Sequence, residues 1–566
     1  MELLKIVSSQ YKHLFGRREA DIEPREISCG SMMKNEPFSF QALYRVEGGS
    51  SGIPVSISAT CGDLPIAAWR VDHVALSNAF NPCGESGYES DLPGSYPDIL
   101  MPRPVNPKVE RIPTAGASAL FETDADNLLN ALSTEYQSIW FTVNPDSEVL
   151  HAGNYDITVR LHNLAKDENT EKHLMLEIID AELPEHDSYY TNWFYEDCIC
   201  DMFGVELYSD AFYEIFDQYI RNMTRHRQNM LLLPAFTPPL DTPVGTERMN
   251  VQLTDIEKTD EGWKFGFERM RRFIRHAKSG GIRYFEHCHL FSQWGAKNAP
   301  NIYDVSGTRI FGFDTDASCE EYVGFIRAYL TAFLAFAREE GIEDCLVFHL
   351  SDEPEEGQLE SYRSAHDSVA DLLQDKIIAD ALSGVKFYEE GLITQPIPFM
   401  SNVGAFENKC DRFWLYYTGF AVPHCTNRLI SNTCARTRVL GLQMYRYRAL
   451  GFLHWAYNFY YDRLSAGLCD PRTNPCGYKQ MPGVTFLAYP FPGGRHLVVP
   501  SIREKMMAEA FDDLRALKLL ESKIGRDAVL AICEAHLGEL SYKTIPDGDT
   551  LFLLRGAINE EIKKYI

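Results

Sequence analysis

No apolar run in the 566 residues is long enough to cross a bilayer, so a membrane-spanning protein is not expected. The stretch from Met1 to Ala20 lacks an unbroken apolar core, because Glu2, Lys5, Lys12 and Arg17 interrupt it; no secretory signal is expected. Positive charge is scarce. Lys and Arg total 54 against 80 Asp and Glu, a formal net charge of -26. That balance argues against a nucleic-acid backbone or an anionic membrane as the main partner and for a neutral or cationic ligand. Low-complexity segments are absent, and no internal repeat stands out beyond a strand–helix alternation. The 14 cysteines are scattered, and neither Cys198-x-Cys200 nor Cys469 with Cys476 has a second pair at zinc spacing. Neither a metal nor another cofactor is therefore expected. Single cysteines in apparent core strands, Cys288 and Cys345, fit a reducing cytoplasmic setting better than a disulfide framework.

What is present suffices for large cores: 45% hydrophobic and 12% aromatic residues, in a chain too long for one ordinary domain. Residues 1–184 read as β-rich. Pro54 to Ala59, Tyr155 to Leu161 and Lys172 to Ile179 form strand-like runs between Gly-, Pro- and Asn-rich turns, and two facing sheets, a β-sandwich, are the economical answer. Gly94 to Asp98 and the prolines that follow read as a long irregular loop, and Leu183-Pro184-Glu185 as an exit linker. Residues 185–522 alternate strand with amphipathic helix. Strands are expected at Trp193–Ile199, Asn229–Pro234, Ile282–His287, Cys345–Leu350, Ile377–Ala379, Ile397–Met400, Arg412–Tyr417 and Gly451–Phe459. Eight βα units in succession imply a closed (β/α)8 barrel. Residues 523–566 add a small C-terminal helical extension, completing a multidomain α and β fold.

The fourth strand carries the sharpest chemical signal. Cys345-Leu346-Val347-Phe348-His349-Leu350-Ser351 is a short apolar run that ends in two adjacent carboxylates, Asp352 and Glu353. Barrels build active sites from side chains at the C-terminal tips of their strands. Neighbouring carboxylates repel, so they take different pKa values and different roles. A solvated acidic loop continuing into Glu355 and Glu356 is the bland alternative.

Other strand tips would bring Asp241, His289, Trp294, Tyr417, Trp455 and Asn458 to the same mouth. Aromatic rings stack on the C–H faces of sugars, and planar polar groups pair with hydroxyls. Equally, Trp455 and Tyr457 alternate on a strand, so one of them fills the core. His287-x-His289 resembles the metal pair of some barrel hydrolases, but the eighth strand offers Asn458 where such a site needs an aspartate.

His349-Leu350-Ser351-Asp352-Glu353-Pro354 resembles the fourth-strand motif of glycoside hydrolase family 123, the β-N-acetylgalactosaminidases, and of their wider relatives. Pro234 to Thr242, His289 to Lys297, Gly451 to Asn458 and Pro93 to Asp98 are similar to further motifs of that family, so the resemblance spans roughly residues 50 to 520. It implies a β-sandwich followed by a barrel, and hydrolysis with retention in which the sugar's own 2-acetamido oxygen attacks the anomeric carbon. By that resemblance Asp352 orients the acetamido group, and Glu353 is general acid and then base. Asp241, His289, Trp294, Tyr417, Trp455 and Asn458 would line the sugar pocket. The implied partner is a short oligosaccharide or glycoside ending in a β-linked N-acetylhexosamine. Preference for GalNAc over GlcNAc stays open, as does a homo-oligomer. Cys198, Cys200 and the Cys469–Cys476 loop depart from the commoner family pattern. Two other readings stay open: a retaining glycosidase with Glu286 or Asp241 as nucleophile, whose carboxyl would stand about 5–5.5 Å from that of Glu353, and a sugar-binding protein without catalysis.

Overall fold

The structure, a computed structural model, describes residues 2–15, 24–46, 52–82, 84–105, 129–132, 135–238, 240–242, 248–293, 295–420 and 425–566. Trp294, one of the expected sugar contacts, lies outside them.

The N-terminal part is β-rich. One five-stranded sheet runs Glu2–Ser8, Phe38–Val46, Gln137–Val143, Ile66–Leu76, Gly94–Arg103, all antiparallel. A second runs Cys29–Met33, Glu168–Ile179, Gly153–Asn163, Ile53–Thr60, Leu129–Ala131, antiparallel except for its first pair. Alternation sets which face is buried. Ile157, Val159 and Leu161 point inward opposite Leu174 on one side and Ile57 and Ala59 on the other. They share one apolar cluster with Phe40, Ala42, Ile139 and Phe141 of the first sheet.

Gly94–Arg103 is a strand, not the irregular loop expected from its prolines. The reason is its position at the sheet edge, where a missing N–H breaks no ladder. Pro97 also sits beside a register shift between Asp72 and His73. The strand turns Asp98 inward. Its carboxylate is fully buried and accepts from Arg503 Nε at 3.0 Å and from the Tyr489 hydroxyl at 2.6 Å, tying the sheet to the helix Ile502–Ile524.

From residue 189 onward short parallel strands alternate with helices. The first strand is Tyr189–Asn192, with the helix Glu196–Phe203 where a strand was expected over Trp193–Ile199. The apolar run is too short for periodicity to choose between the two. Glu196 and Asp197 in the first turn and Gly204 as a left-handed C-cap favour the helix.

The other expected strands form within shorter limits: Met230–Leu233, Tyr284–His287, Leu346–Phe348, Ile377–Ile378, Ile397–Pro398, Trp414–Tyr416 and Gly451–His454. Among the described residues their pairing falls into three parallel pieces instead of one continuous closed ladder. Met230–Leu233, Tyr284–His287, Leu346–Phe348 and Ile377–Ile378 form one, and Tyr189–Asn192, Gly451–His454 and Trp414–Tyr416 the second. Ala381–Leu382 with Ile397–Pro398 is the third. Backbone bonds span the gaps: Asn229 N–H to Tyr190 O at 3.2 Å, and Trp414 N–H to Pro396 O at 3.0 Å beside an isolated parallel bridge of Phe399 with Tyr416.

The helices Arg526–Leu537 and Gly548–Lys563 follow, but the last one does not hang free. Arg555 donates to Glu36 and to Asp513 at 2.7 and 2.8 Å, and Asn559 donates to Ser31, so it clasps the N-terminal sheets. No helix of the described residues is long and apolar enough to cross a membrane. The described cysteines are all free thiols.

Candidate active site

The strand Leu346–Phe348 keeps pairing beyond its formal end, since Leu290 N–H and Phe291 N–H donate to His349 O and Leu350 O at 3.0 and 2.9 Å. Asp380, just after Ile377–Ile378, then fixes the turn. Its buried carboxylate accepts from Leu350 N–H and Ser351 N–H at 3.1 Å each and from the Tyr362 hydroxyl at 2.6 Å. The next two residues are Asp352 and Glu353, both half-buried. Glu353 has φ 45°, in the left-handed region that non-glycine residues rarely occupy and that costs of order 1–3 kcal/mol. Strain of that kind is held only where surrounding contacts over-determine it.

Each carboxylate has its own donor. Gln293 Nε2 donates to Asp352 Oδ2 at 2.9 Å. The Tyr416 hydroxyl donates to Glu353 Oε1 at 2.7 Å. Burial, then the Glu353 charge, pushes the Asp352 carboxyl up to about 7, against the pull of the Gln293 bond. Near neutral pH the Asp352 carboxyl is therefore only partly ionised. Burial and the adjoining carboxylates push the Tyr416 phenol well above its ordinary range, so it stays a donor.

Beneath the pair lies a buried charged layer. His349 Nε2 donates to Glu286 Oε2 at 2.8 Å, and His349 Nδ1 stands 3.4 Å from Asp380 Oδ1. Burial alone would push this imidazole down, but the bonds to Asp380 and Glu286 win and hold it up at about 10. His349 is thus a fixed cation directly under the acids. Trp193 Nε1 also donates to Glu286 Oε2 at 3.0 Å.

Of the residues expected to contact sugar, His289 packs its ring 5.1 Å from that of His349 and 5.3 Å from that of Trp193. It is buried and held neutral by burial, and its Nδ1 has no partner among the described residues. His287 turns elsewhere, with its two ring nitrogens on the Tyr329 hydroxyl and Cys288 O at 2.8 and 2.6 Å. The described residues contain no cluster of three or more His, Cys, Asp or Glu able to hold a metal ion.

Asp241 and Trp455 share a neighbour. Asp241 Oδ1 accepts from the Tyr478 hydroxyl at 2.8 Å, and the Tyr478 ring lies 5.3 Å from that of Trp455. Trp455 remains partly exposed, as a stacking surface must. Asn458 is wholly buried, and its amide clamps the Tyr195 backbone through Tyr195 N–H and O at 2.9 and 3.0 Å. Tyr417 is buried too, and its hydroxyl reaches only Met507 Sδ at 3.7 Å.

Four residues that serve the acids were not expected: Tyr416, Gln293, Asp380 and Glu286 as partner of His349. Period-2 alternation requires Tyr416 and Tyr417 to point opposite ways, which was the available signal.

The family described as glycoside hydrolase 123, catalytic domain, matches this chain over residues 193–520. No curated protein gives a match. Among solved structures, a family 123 glycoside hydrolase from Clostridium perfringens, studied for glycolipid glycan hydrolysis, superposes with TM-score 0.74 at 12% identity. The match covers 100% of this chain and 98% of that one. An endo-β-1,4-mannanase from Thermotoga petrophila gives TM-score 0.35 at 12% identity, over 59% of this chain and 77% of the other. A β-glucuronidase from Parabacteroides merdae gives TM-score 0.27 at 9% identity, over 75% and 46%. The last two likenesses are too slight to build on.

Proposed function

Because the chain belongs to glycoside hydrolase family 123, and is a glycosidase in that sense, we propose that it is a retaining exo-acting β-N-acetylgalactosaminidase that uses its substrate's acetamido group as nucleophile. The observation that carries this reading is the adjacency of Asp352 and Glu353 on one strand end, each with a separate donor. Adjacent acids cannot flank a sugar ring from opposite faces, as a two-carboxylate mechanism needs. They can serve neighbouring atoms on one side.

In the proposed reaction the acetamido carbonyl oxygen bonds to the anomeric carbon as the glycosidic C–O bond breaks. Glu353 gives its proton to the departing oxygen. Asp352 accepts from the acetamido N–H and balances the positive charge that develops there. Water then attacks the anomeric carbon of the oxazoline-type intermediate as that carbon's bond to the acetamido oxygen breaks, restoring the acetamido group, and Glu353 takes the water's proton. Two inversions give net retention.

The competing nucleophiles fit less well. Glu286 is fully buried and bonded to His349 and Trp193. Asp241 is engaged by Tyr478 and by Ser465 N–H at 3.3 Å. Trp455, Asp241, His289, Tyr417 and Asn458 are proposed to shape the sugar site, the last two by positioning.

The three parallel pieces are proposed to be arcs of one (β/α)8 barrel over residues 185–522, between a sandwich over 1–184 and an extension over 523–566. The backbone bonds from Asn229 and Trp414 across the gaps support that closure. An experimental structure in which Tyr189–Asn192 and Met230–Leu233 fail to adjoin would refute it. A cytoplasmic location is proposed as well, and recovery of the native protein outside the cytoplasm would refute that.

The test of the activity is release of p-nitrophenol from the aryl β-GalNAc glycoside beside the β-GlcNAc one. Turnover of the first, its loss in Glu353→Gln and tight inhibition by a GalNAc-derived thiazoline are expected. Failure to cleave any 2-acetamido glycoside would sink the proposal.

A further inference from the structure

A cavity of about 770 Å³ opens between the first sheet and the helix Asp210–Arg225. In a chain of net charge -26 its described walls carry Arg103, Arg221, Arg225, Arg495 and Lys505 against one carboxylate, Asp146. That carboxylate is already paired, at 3.1 Å, with Arg225. The nearby acids Glu504 and Glu509 are engaged elsewhere. Glu504 accepts from Asn222 and Tyr457, and Glu509 from Ser9 and Gln10.

Several groups in these walls lack a protein partner among the described residues, the buried guanidinium of Arg103 among them. The Lys505 ammonium stands 4.2 Å over the Trp69 ring and forms no hydrogen bond or ion pair among the described residues. His226 is 4% exposed; its Nδ1–H donates to Asn222 O at 2.7 Å, and its Nε2 is left without a partner. Burial pushes Lys505 down to about 8, with Arg225 and Arg227 adding to the effect. Burial and then the Lys505 charge keep His226 neutral, so its Nε2 offers a lone pair. Gathering like charges around a cavity works against folding unless something negative enters.

We propose that this cavity is a binding site for a phosphate group, free or carried as a monoester on a small sugar, with Lys505, Arg225 and Arg495 facing its oxygens and His226 Nε2 accepting from its acidic hydroxyl. Inorganic phosphate near neutral pH, as the hydrogen phosphate dianion, supplies both the charge the cations lack and the donor the imidazole lacks; a monoester supplies that donor only as its monoanion. Sulfate supplies only the first.

The experiment is calorimetric titration of the full chain with inorganic phosphate, N-acetylgalactosamine 6-phosphate and sulfate at constant ionic strength, with Tm read alongside. Saturable one-to-one binding of a phosphate probe is expected, weakened by about tenfold or more in Lys505→Met and in Arg225→Gln. Tm should rise with phosphate in the wild type and stay flat in Lys505→Met, which should fold at least as stably without ligand. Tighter binding of the sugar phosphate would identify a monoester as ligand, and equal binding the free ion. Hydrolysis of the aryl glycoside should be unchanged in Lys505→Met. No saturable binding of either phosphate probe, or equal affinity in Lys505→Met, would overturn the site. Sulfate binding as tightly as phosphate would overturn the role of His226.

Discussion

Tyr416 and Glu353 come from two different strand ends and meet in one hydrogen bond, phenol to carboxylate, at 2.7 Å. A bond to a charged acceptor is worth roughly 1.5–3 kcal/mol, or about tenfold to a hundredfold in rate if it matters most in the transition state. Tyr416→Phe is therefore expected to lower kcat by that factor with little change in KM. Tyr417→Phe, which loses only a contact to Met507, should keep kcat within about threefold. Steady-state kinetics of the two variants side by side decides it, and equal effects would remove Tyr416 from the machinery.

The acids themselves should be indispensable. Glu353→Gln and Asp352→Asn are each expected to reduce kcat by about a hundredfold to ten-thousandfold, the usual span for a lost acid–base group. Added azide should restore neither, because an external nucleophile has no vacated carboxylate position to fill. Azide rescue of Asp352→Asn would point to an enzyme nucleophile.

The Asp352 carboxyl, raised to about 7, sets the acidic limb of the rate profile. Below that pH Asp352 carries a proton and can neither accept from the acetamido N–H nor balance its charge, so kcat/KM should rise as pH rises through 7. The Gln293 bond favours the ionised form. Gln293→Leu should therefore move the limb to higher pH, and a limb that stays put or moves down contradicts this assignment.

His349 ties stability to pH in a definite direction. Its folded-state value near 10 lies above the ordinary 6.5, so its contribution is complete below about 6.5 and fades as pH climbs through 10. His349→Gln leaves Glu286 and Asp380 buried without their cation and should cost about 3–5 kcal/mol near pH 6. Thermal melts of both proteins from pH 6 to 10 should converge toward the alkaline end.

Gly441 tests the packing behind the strands. A Cβ there would stand 1.9 Å from the carbonyl oxygen of Ala510, on the neighbouring helix Ile502–Ile524. Backbone cannot swing aside as a side chain can. Gly441→Ala should destabilise by about 1–3 kcal/mol or more, read from urea midpoints.

Much of this arrangement was legible in the residues. Alternation at Tyr155 to Leu161 survives in the structure, and the helical spacing over Asp210 to Arg227 becomes a helix that ends at Arg225. The acid pair after a short apolar run was legible for the same reason: a strand end is a local feature. What escaped was set by distant partners. Nothing near Asp380 in sequence reveals that it grips the backbone of Leu350 and Ser351. Tyr416 and Tyr417 are chemically alike, and alternation says that they diverge without saying which one faces the acids. Prolines at 97 and 102 suggested a loop because their tolerance depends on lying at a sheet edge, which only the fold determines.

The clasp between Asp98 and Arg503 bears on how the protein can be dissected. Residues 193–520 would take Arg503 without its counter-charge and stop short of the final turn of its helix. They would also take from Asp513 one of its two cations, Arg555 of the last helix, leaving Arg438. Expressed by itself, such a fragment would bare ionic groups that the intact chain neutralises from both flanks, and it should aggregate or be degraded instead of working as a minimal enzyme. Attempts to shorten this glycosidase would do better to trim surface loops than to remove either end.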